Sequence, residues 1–356
     1  MGKYILSKFL YSIIVLWGVT TAIFFLFNVL PGDPATIMLG QRANKEQIEA
    51  IHKDLGLDLP ILTQYFLYLN DLSPISIHSE NPDSHWYFDK EKYSGFSLVS
   101  IGDKKIVSKL PYLRRSYISK RPVSEIILET LPETTVLAFT SIILASILGI
   151  LLGILAAIKF NTWYDKLSLV LSVLGMAAPS FFVGLIIAWL FGYVLRDYTG
   201  LSPTGSLFEL DVWEGETIQL KNLILPALTL GVRPLAIIVQ LMRSSLLDVL
   251  SQDYIRTARA KGLSFYTIVF KHALKNALNP VVTAISGWFA GLMAGAVFVE
   301  YIFNWKGIGY EVYEALTKND LPVVMGSTLV FALIFVITNL IVDIIYGFLD
   351  PRVRIK

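Results

Sequence analysis

The stretch that decides the fold is Asp253–Pro280, DYIRTARAKGLSFYTIVFKHALKNALNP. It places apolar residues at helical spacing, with basic residues between them and one glycine in its middle. Asp253 would stand in the first turn of a helix, where negative charge is favoured, and Gly262 fits the left-handed position that ends one. Ser251 and Ser264 are the expected N-caps. The pattern therefore predicts two short, capped, basic helices in succession.

These two helices carry both charge and apolar surface. Arg256, Arg259 and Lys261 crowd the end of the first helix, where the dipole favours cations. The residues expected to supply apolar faces are Tyr254, Ala258, Phe265, Ile268 and Val269. Three interpretations fit this pattern: a solvated loop that is basic because it faces the cytoplasm, a helix lying on anionic lipid, or a docking element for a cytoplasmic partner.

The composition on either side of this stretch is that of a membrane protein. Of 356 residues, 54% are hydrophobic and 16% are charged, against about 25% charged in soluble domains. The formal net charge of +2 does not identify a partner. The absence of cysteine excludes disulfides, thiolate metal sites and a cysteine nucleophile.

Six apolar runs are long enough to cross roughly 30 Å of hydrocarbon. They are approximately Phe9–Leu30, Thr134–Ile158, Leu167–Leu195, Leu223–Met242, Ala277–Val299 and Val323–Phe348. The first is too long for a signal peptide and lacks a small-residue cleavage site, so we expect it to be retained. The predicted organisation is an N-terminal helix (1–30), a loop region (31–133), and a five-helix core (134–356) with a basic loop at 243–276.

Charge in the short loops sets the predicted orientation. The loop 243–276 carries six basic residues against two acidic ones, and the C-terminal tail is basic as well. The loops 196–222 and 300–322 are acidic. We therefore expect both termini and the loop 243–276 to be cytoplasmic, in a bacterial inner membrane.

The loop region 31–133 divides into two parts. Residues 44–70 predict two helices, with Asn44 as a cap, Gly56 ending the first and Pro60 opening the second. The stretch Asp71–Arg121 is rich in Ser, Asp, Tyr and Lys and contains short runs such as FSLVSIG. It predicts a small, partly β, extracytoplasmic insertion.

Two prolines and one arginine stand out within the spans. Pro179 and Pro234 are expected to kink their helices, either as an ordinary feature of membrane helices or to line a polar path. Arg233 lies near the middle of its span, where it could face the path and meet a peptide carboxylate, or instead snorkel or contact neighbouring backbone carbonyls beside Pro234. Arg233 and Pro179 are therefore the candidate residues for lining the translocation path.

The acidic residues near the span ends have plainer interpretations. Glu300 is expected to be solvated at the outer boundary. Asp343 and Asp350 are expected to form structural pairs with Arg352 or Arg354.

Sequence motifs for chemistry are missing. There is no G-x-x-x-x-G-K-[ST] phosphate loop and no H-E-x-x-H. The four histidines lack ligand spacing, and His78 and His85 are expected to be solvated surface residues rather than metal ligands. We therefore predict no enzyme activity and no metal site in this chain.

Several motifs resemble one transporter family. YIRTARAKG followed by FKHALKNALNPVV resembles the EAA loop of ABC-importer permeases, in the form of the dipeptide/oligopeptide/nickel family. Arg256-Thr257-Ala258 stand in place of Glu-Ala-Ala, and Leu274-Lys275 in place of the usual Leu-Pro. Five further stretches resemble motifs of this family and occur in the order in which the family has them. They are LPGDPATIMLG, LGLDLPILTQYFLYL, FVEYIFNWKGIGYEVYEAL, NDLPVV and NLIVDIIYGFLDPRVR. The stretch Asp71–Arg121 departs from the family by its length.

This resemblance implies a fold, a mechanism and partners. The fold would be a type I ABC importer transmembrane domain: all-α, polytopic, six spans, with a mixed insertion after the first. The coupling loop, which contacts the ATP-binding subunits, would comprise Asp253, Tyr254, Arg256, Thr257, Ala258, Arg259, Ala260, Lys261 and Gly262. ATP and Mg would be used by those subunits and not bound by this chain.

The implied partners are a second permease, two ATP-binding subunits, an extracytoplasmic solute-binding protein and membrane lipid, without nucleic acid. Two other classes remain open at this point. One is an ion-gradient-driven transporter or channel, which would need intramembrane acidic relays. The other is a membrane scaffold that recruits a cytoplasmic partner without moving solute.

Overall fold

The structure, a computed structural model, describes residues 2–29, 34–39, 45–82, 84–90, 92–211, 215–293 and 296–349. The chain forms two compact units. The first contains Met1–Glu129 with Glu314–Leu333, and the second contains Thr130–Tyr313 with Ile334–Lys356. The predicted cap Asn44 lies outside the described residues.

Among the described residues, four helices and one sheet lie wholly within the larger segment of the first unit. The helices are α1 (Gly2–Val29), α2 (Pro34–Leu39), α3 (Lys45–Leu55) and α4 (Ile61–Leu72). Gly56, at φ +67°, follows α3, and Pro60 directly precedes α4, both as predicted. Ile23 and Phe24 of α1 are buried against Tyr65 and Tyr68 of α4, so aromatic packing attaches α4 to the first apolar helix.

The predicted β character of the insertion is confirmed. Strands β1 (Ile75–Ser79), β2 (Gly95–Ile101) and β3 (Lys104–Lys109) form an antiparallel sheet in the order β1-β3-β2. The run FSLVSI falls in β2. Gly102, at φ +58°, provides the tight connection between β2 and β3 that a residue with a Cβ adopts poorly.

A buried polar cluster fills one side of this sheet, and it overturns the prediction for His78. That histidine is only 1% exposed, its Nε2 lies 2.9 Å from Ser76 Oγ, and its ring packs on Phe88 and Tyr93. Burial, and then the charge of Lys109, lower the pKa of His78. The sequence pattern missed this because β1 alternates exposed and buried residues, which places His78 on the covered face.

In its described residues, the second unit is helical apart from one hairpin. Its elements and those shared with the first unit are α5 (Val123–Ile158), α6 (Trp163–Ala177), α7 (Ser180–Ile187) continued by a π-helical turn (Ala188–Val194), α8 (Arg196–Thr199), β4 (Phe208–Asp211), β5 (Gly215–Ile218), a 3-10 turn (Leu220–Leu223), α9 (Ile224–Leu250), α10 (Asp253–Ala260), α11 (Phe265–Thr267), a second π-helical turn (Ile268–Ala273), α12 (Leu274–Met293), α13 (Val297–Phe303), α14 (Ile308–Thr317) and α15 (Leu321–Leu349).

Within the part of the chain that the structure describes, the apolar helices account for four spans, or up to six. Four single helices are long and apolar enough to cross a membrane, within Leu6–Phe27, Val123–Ile158, Leu220–Leu250 and Leu321–Val342. Two helix pairs complete the set if each pair is one span: Trp163–Ala177 with Ser180–Val194, and Phe265–Met293 with Val297–Phe303.

Pro179 breaks its helix instead of kinking it. The axes of Trp163–Ala177 and Ser180–Val194 meet at 110°, and Pro179 stands between them as the N-cap of α7. Ala178 is extended (φ −73°, ψ 130°) because a proline disfavours helical backbone in the residue before it. Pro234, in contrast, stays inside the continuous helix α9.

Helix α9 lies at the centre of the second unit. Its Ile238, Met242 and Leu246 are fully buried in a cluster that also receives residues of α5, α10 and α12. A Cβ added at Gly153 of α5 would lie 2.6 Å from Met242 Cβ, so the glycine permits the close approach of α5 to α9.

Candidate functional site

The basic loop forms a short helix, α10, that follows α9 almost directly. The predicted cap was wrong here: Gln252, with extended backbone, is the N-cap of α10 and makes no side-chain cap bond. Ser251 is helical and closes α9, where its hydroxyl donates to Asp248 O at 2.7 Å. The N-cap lies at Gln252 instead of Ser251 because α9 continues to Leu250, which leaves only Ser251 and Gln252 between the two helices.

The end of α10 matches the prediction. Gly262 has φ +78°, and its amide donates to Arg259 O at 2.9 Å. Ser264 caps the next helical segment, accepting from Thr267 N at 3.3 Å. This segment is not a separate short helix, because helical backbone continues through a π-helical turn into α12.

Two faces of α10 differ sharply in exposure. Ile255 and Ala258 are buried in the cluster around α9, together with Ile268 and Val269. The remaining residues of the predicted coupling set are exposed: Asp253, Tyr254, Arg256, Thr257, Arg259, Ala260, Lys261 and Gly262. The sequence prediction missed Ile255, although its spacing of three from Ala258 on one helical face indicated it.

Exposed apolar side chains follow these residues in the chain. Leu263, Phe265, Tyr266 and Phe270 all present large apolar area to solvent, as does Tyr254. We call the exposed α10 residues and these four neighbours the α10 face. Tyr254 is fixed in place, since its hydroxyl accepts from Asn276 Nδ2 at 2.9 Å. Aromatic and arginine side chains together are typical of energetically dominant positions in protein interfaces.

Arg233 and the break at Pro179 lie near one another. Arg233 Nη2 donates to Met176 O at 3.5 Å, at the last turn of α6. That turn has carbonyls without helical partners, because α6 ends at Ala177. Arg233 thus contacts a backbone carbonyl, as one of the interpretations of this residue predicted. A role in the translocation path stays a prediction.

Glu300 is not solvated as predicted but fully buried. Its carboxylate accepts from Thr134 Oγ1 at 2.9 Å and from Tyr310 N at 3.0 Å. The chain reverses after α13 at Asn304, in left-handed backbone, and so brings the following amides around the carboxylate. The pairing predicted for Asp343 and Asp350 concerns side chains outside the described part of the chain.

Comparison with known proteins decides the family. Residues 149–355 match the family of binding-protein-dependent transport system inner membrane components, and residues 1–77 match its N-terminal model. The chain belongs to this family. It is 35% identical to the dipeptide transport system permease protein DppB of Alkalihalophilus pseudofirmus, over 99% of this chain and 100% of the relative. It is 33% identical to the glutathione transport system permease protein GsiC of Escherichia coli K12, over the whole of both.

A solved structure shows the same fold. The chain aligns with a chain of the MetNI methionine ABC transporter in an inward-facing conformation, with a TM-score of 0.50 and 18% identity, over 64% of this chain and 97% of that one. The fold is thus that of a type I ABC importer transmembrane domain. The chain is a permease component of a bacterial inner-membrane ABC importer and not an ATPase, which excludes the gradient-driven and scaffold alternatives.

Proposed function

We propose that the chain imports small peptides or peptide-like solutes by alternating access. The support is that its relatives are named for dipeptide and for glutathione transport. It would act with a second permease, two ATP-binding subunits and an extracytoplasmic solute-binding protein. Both termini would be cytoplasmic, and ATP and Mg would be used by the ATP-binding subunits alone.

The α10 face would dock into a cleft on an ATP-binding subunit. The observation that carries this proposal is the division of α10: Ile255 and Ala258 are buried in its own bundle, while its basic and aromatic residues are exposed. A helix that packs on its own bundle in this way keeps its conformation when a bound partner displaces it. A loosely solvated loop would not bury two residues in the core.

Packing explains how α10 would transmit motion. Ile255 and Ala258 share one cluster with α9 and with the start of α12, and close-packed interiors move as units instead of deforming continuously. ATP binding would drive transport only if it favoured one arrangement of the bundle over the other. Through the α10 face, the ATP-bound subunits would stabilise that arrangement of the bundle.

Purification of the tagged chain from its own membranes, with mass spectrometry of the bound proteins, tests this docking. We expect the double variant R256E/R259E to recover at least about tenfold less of the ATP-binding subunits than the unsubstituted chain, because opposed interface charges cost several kcal/mol. The matched control is R196E/K221E, which reverses two exposed charges away from α10. Equal recovery with R256E/R259E would contradict the proposal.

A further inference from the structure

Arg243 of α9 and Asp165 of α6 form a buried ion pair. Arg243 Nε donates to Asp165 Oδ1, and Arg243 Nη2 donates to Asp165 Oδ2 at 2.9 Å. The side chain of Asp165 is 3% exposed and that of Arg243 is 17% exposed. A guanidinium bound through two nitrogens fixes the orientation of its partner as well as its distance.

The turn between α5 and α6 closes over this pair. Asn161, in left-handed backbone, donates its amide to Asp165 Oδ2 at 2.9 Å. The Arg243 guanidinium lies over the Phe160 ring, 5.4 Å from its centre. Asp165 also stands in the first turn of α6, where the helix dipole favours a carboxylate. Three parts of the chain therefore meet at one pair of charges.

The pair is close to α10 along α9. Arg243 precedes Ser251 by eight residues, which is roughly 12 Å along the helix axis. Leu246, between them, joins the cluster that buries Ile255 and Ala258. At its far end, α6 leads to the 110° break at Pro179.

We infer that Asp165 and Arg243 are positioning residues that make α6, and the break beyond it, follow α10 and α9 when these move. This inference rests on the proposed docking of α10. Apolar contacts between helices permit sliding. A doubly hydrogen-bonded ion pair away from water resists it, because separation leaves both charges uncompensated.

The absence of cysteine allows a direct test by spin labelling. Nitroxides at Ser251→Cys and Leu171→Cys report the distance from the end of α9 to an exposed position of α6. The distance is measured in the purified complex with its ATP-binding subunits, nucleotide-free and trapped with Mg-ATP and vanadate. We expect one narrow distance in both states for the unsubstituted pair. With Asp165→Asn, the trapped state acquires a second distance.

The control and a functional measurement complete the test. Glu129→Gln removes the carboxylate of an exposed ion pair with Arg121 and is expected to behave like the unsubstituted complex. With dialanine and glutathione as probes, solute moved per ATP hydrolysed is expected to fall about tenfold with Asp165→Asn. A purely structural role would lower the amount of complex and leave this ratio unchanged.

The outcomes separate the two claims. One narrow distance in both states with Asp165→Asn, or an unchanged transport ratio, would overturn the positioning role while α10 still docks. Two distances in the unsubstituted complex would overturn it as well. If the unsubstituted chain recovers no ATP-binding subunits, the proposed docking fails, and the positioning role fails with it.

Discussion

Near the start of α5, the Glu300 carboxylate is buried among neutral donors, whereas just beyond the end of the same helix the Asp165 carboxylate is buried against a guanidinium. The neutral donors belong to Thr134 and to a backbone amide that the chain reversal after α13 presents. Such a site keeps one loop in one arrangement. The ion pair instead joins two long helices through side chains, and each side chain loses a charged partner if the helices separate.

The comparison predicts unequal costs for removing each charge. Asp165→Asn should lower the free energy of unfolding by about 3 kcal/mol, since it leaves Arg243 with no countercharge. Glu300→Gln should cost less, about 2 kcal/mol, because the amide oxygen keeps one of the two neutral donors while the other donor loses its acceptor. Thermal unfolding of the purified variants in detergent measures the difference. Equal decreases in melting temperature for Asp165→Asn and Glu300→Gln would contradict the distinction between an ion pair and a carboxylate among neutral donors.

A double variant sharpens that result. Asp165→Asn combined with Arg243→Gln should be less destabilised than Asp165→Asn alone, because no unpaired charge remains. Additive losses would show that the two side chains act independently.

The loop around Glu300 is also expected to be sensitive to volume. A Cβ added at Gly307 would lie 2.5 Å from Glu300 Oε2, so Gly307→Val should cost about 2 kcal/mol through overpacking. Gly291→Ala is the matched control, since a Cβ there meets nothing within 4 Å. Unfolding temperatures that fall equally for both variants would contradict the packing shown at Gly307.

Substitution of Gly262 is expected to destabilise the protein through backbone strain alone, without a steric clash. Gly262 has φ +78° with open space around it, so Gly262→Val should cost about 1–2 kcal/mol of strain. Insertion into the membrane should be normal, while recovery of ATP-binding subunits falls. Gly262→Asn, which tolerates left-handed backbone, should retain most of that recovery. Full recovery with Gly262→Val would rule out a need for this turn.

The smallest expected effect concerns His78, a buried titratable group in the first unit. Burial lowers the pKa of His78, as does Lys109, while Asp71 opposes this and Lys92 adds to it. The folded insertion therefore resists a proton that the unfolded chain accepts, and its stability is lost as pH falls below about 6.5. Below that pH, the protection of residues 75–79 against hydrogen exchange, relative to the intrinsic exchange rate, should fall, and His78→Phe should remove this dependence. Exchange that is insensitive to pH beyond its intrinsic rate would contradict the burial of His78.

Local features of the sequence were predictable, and features set by distant packing were not. Gly56, Gly262 and Ser264 are terminators or caps whose effect acts within one turn, and all three were predicted correctly. The burial of Glu300 depends on a chain reversal that begins four residues later, and the pairing of Asp165 with Arg243 joins residues 78 apart. No local periodicity indicates either contact. The cap of α10 was missed because α9 continues to Leu250, about two turns beyond its apolar run.

The most direct test of the central claim is cross-linking from two neighbouring positions of α10. In this cysteine-free chain, Ala260→Cys places a thiol on the exposed side of the helix, and Ala258→Cys places one on the buried side. Attachment of a maleimide–benzophenone to these thiols, followed by irradiation of native membranes, should join the chain to an ATP-binding subunit from position 260 and not from position 258. No cross-link from position 260, or equal cross-links from both, would contradict docking through the α10 face.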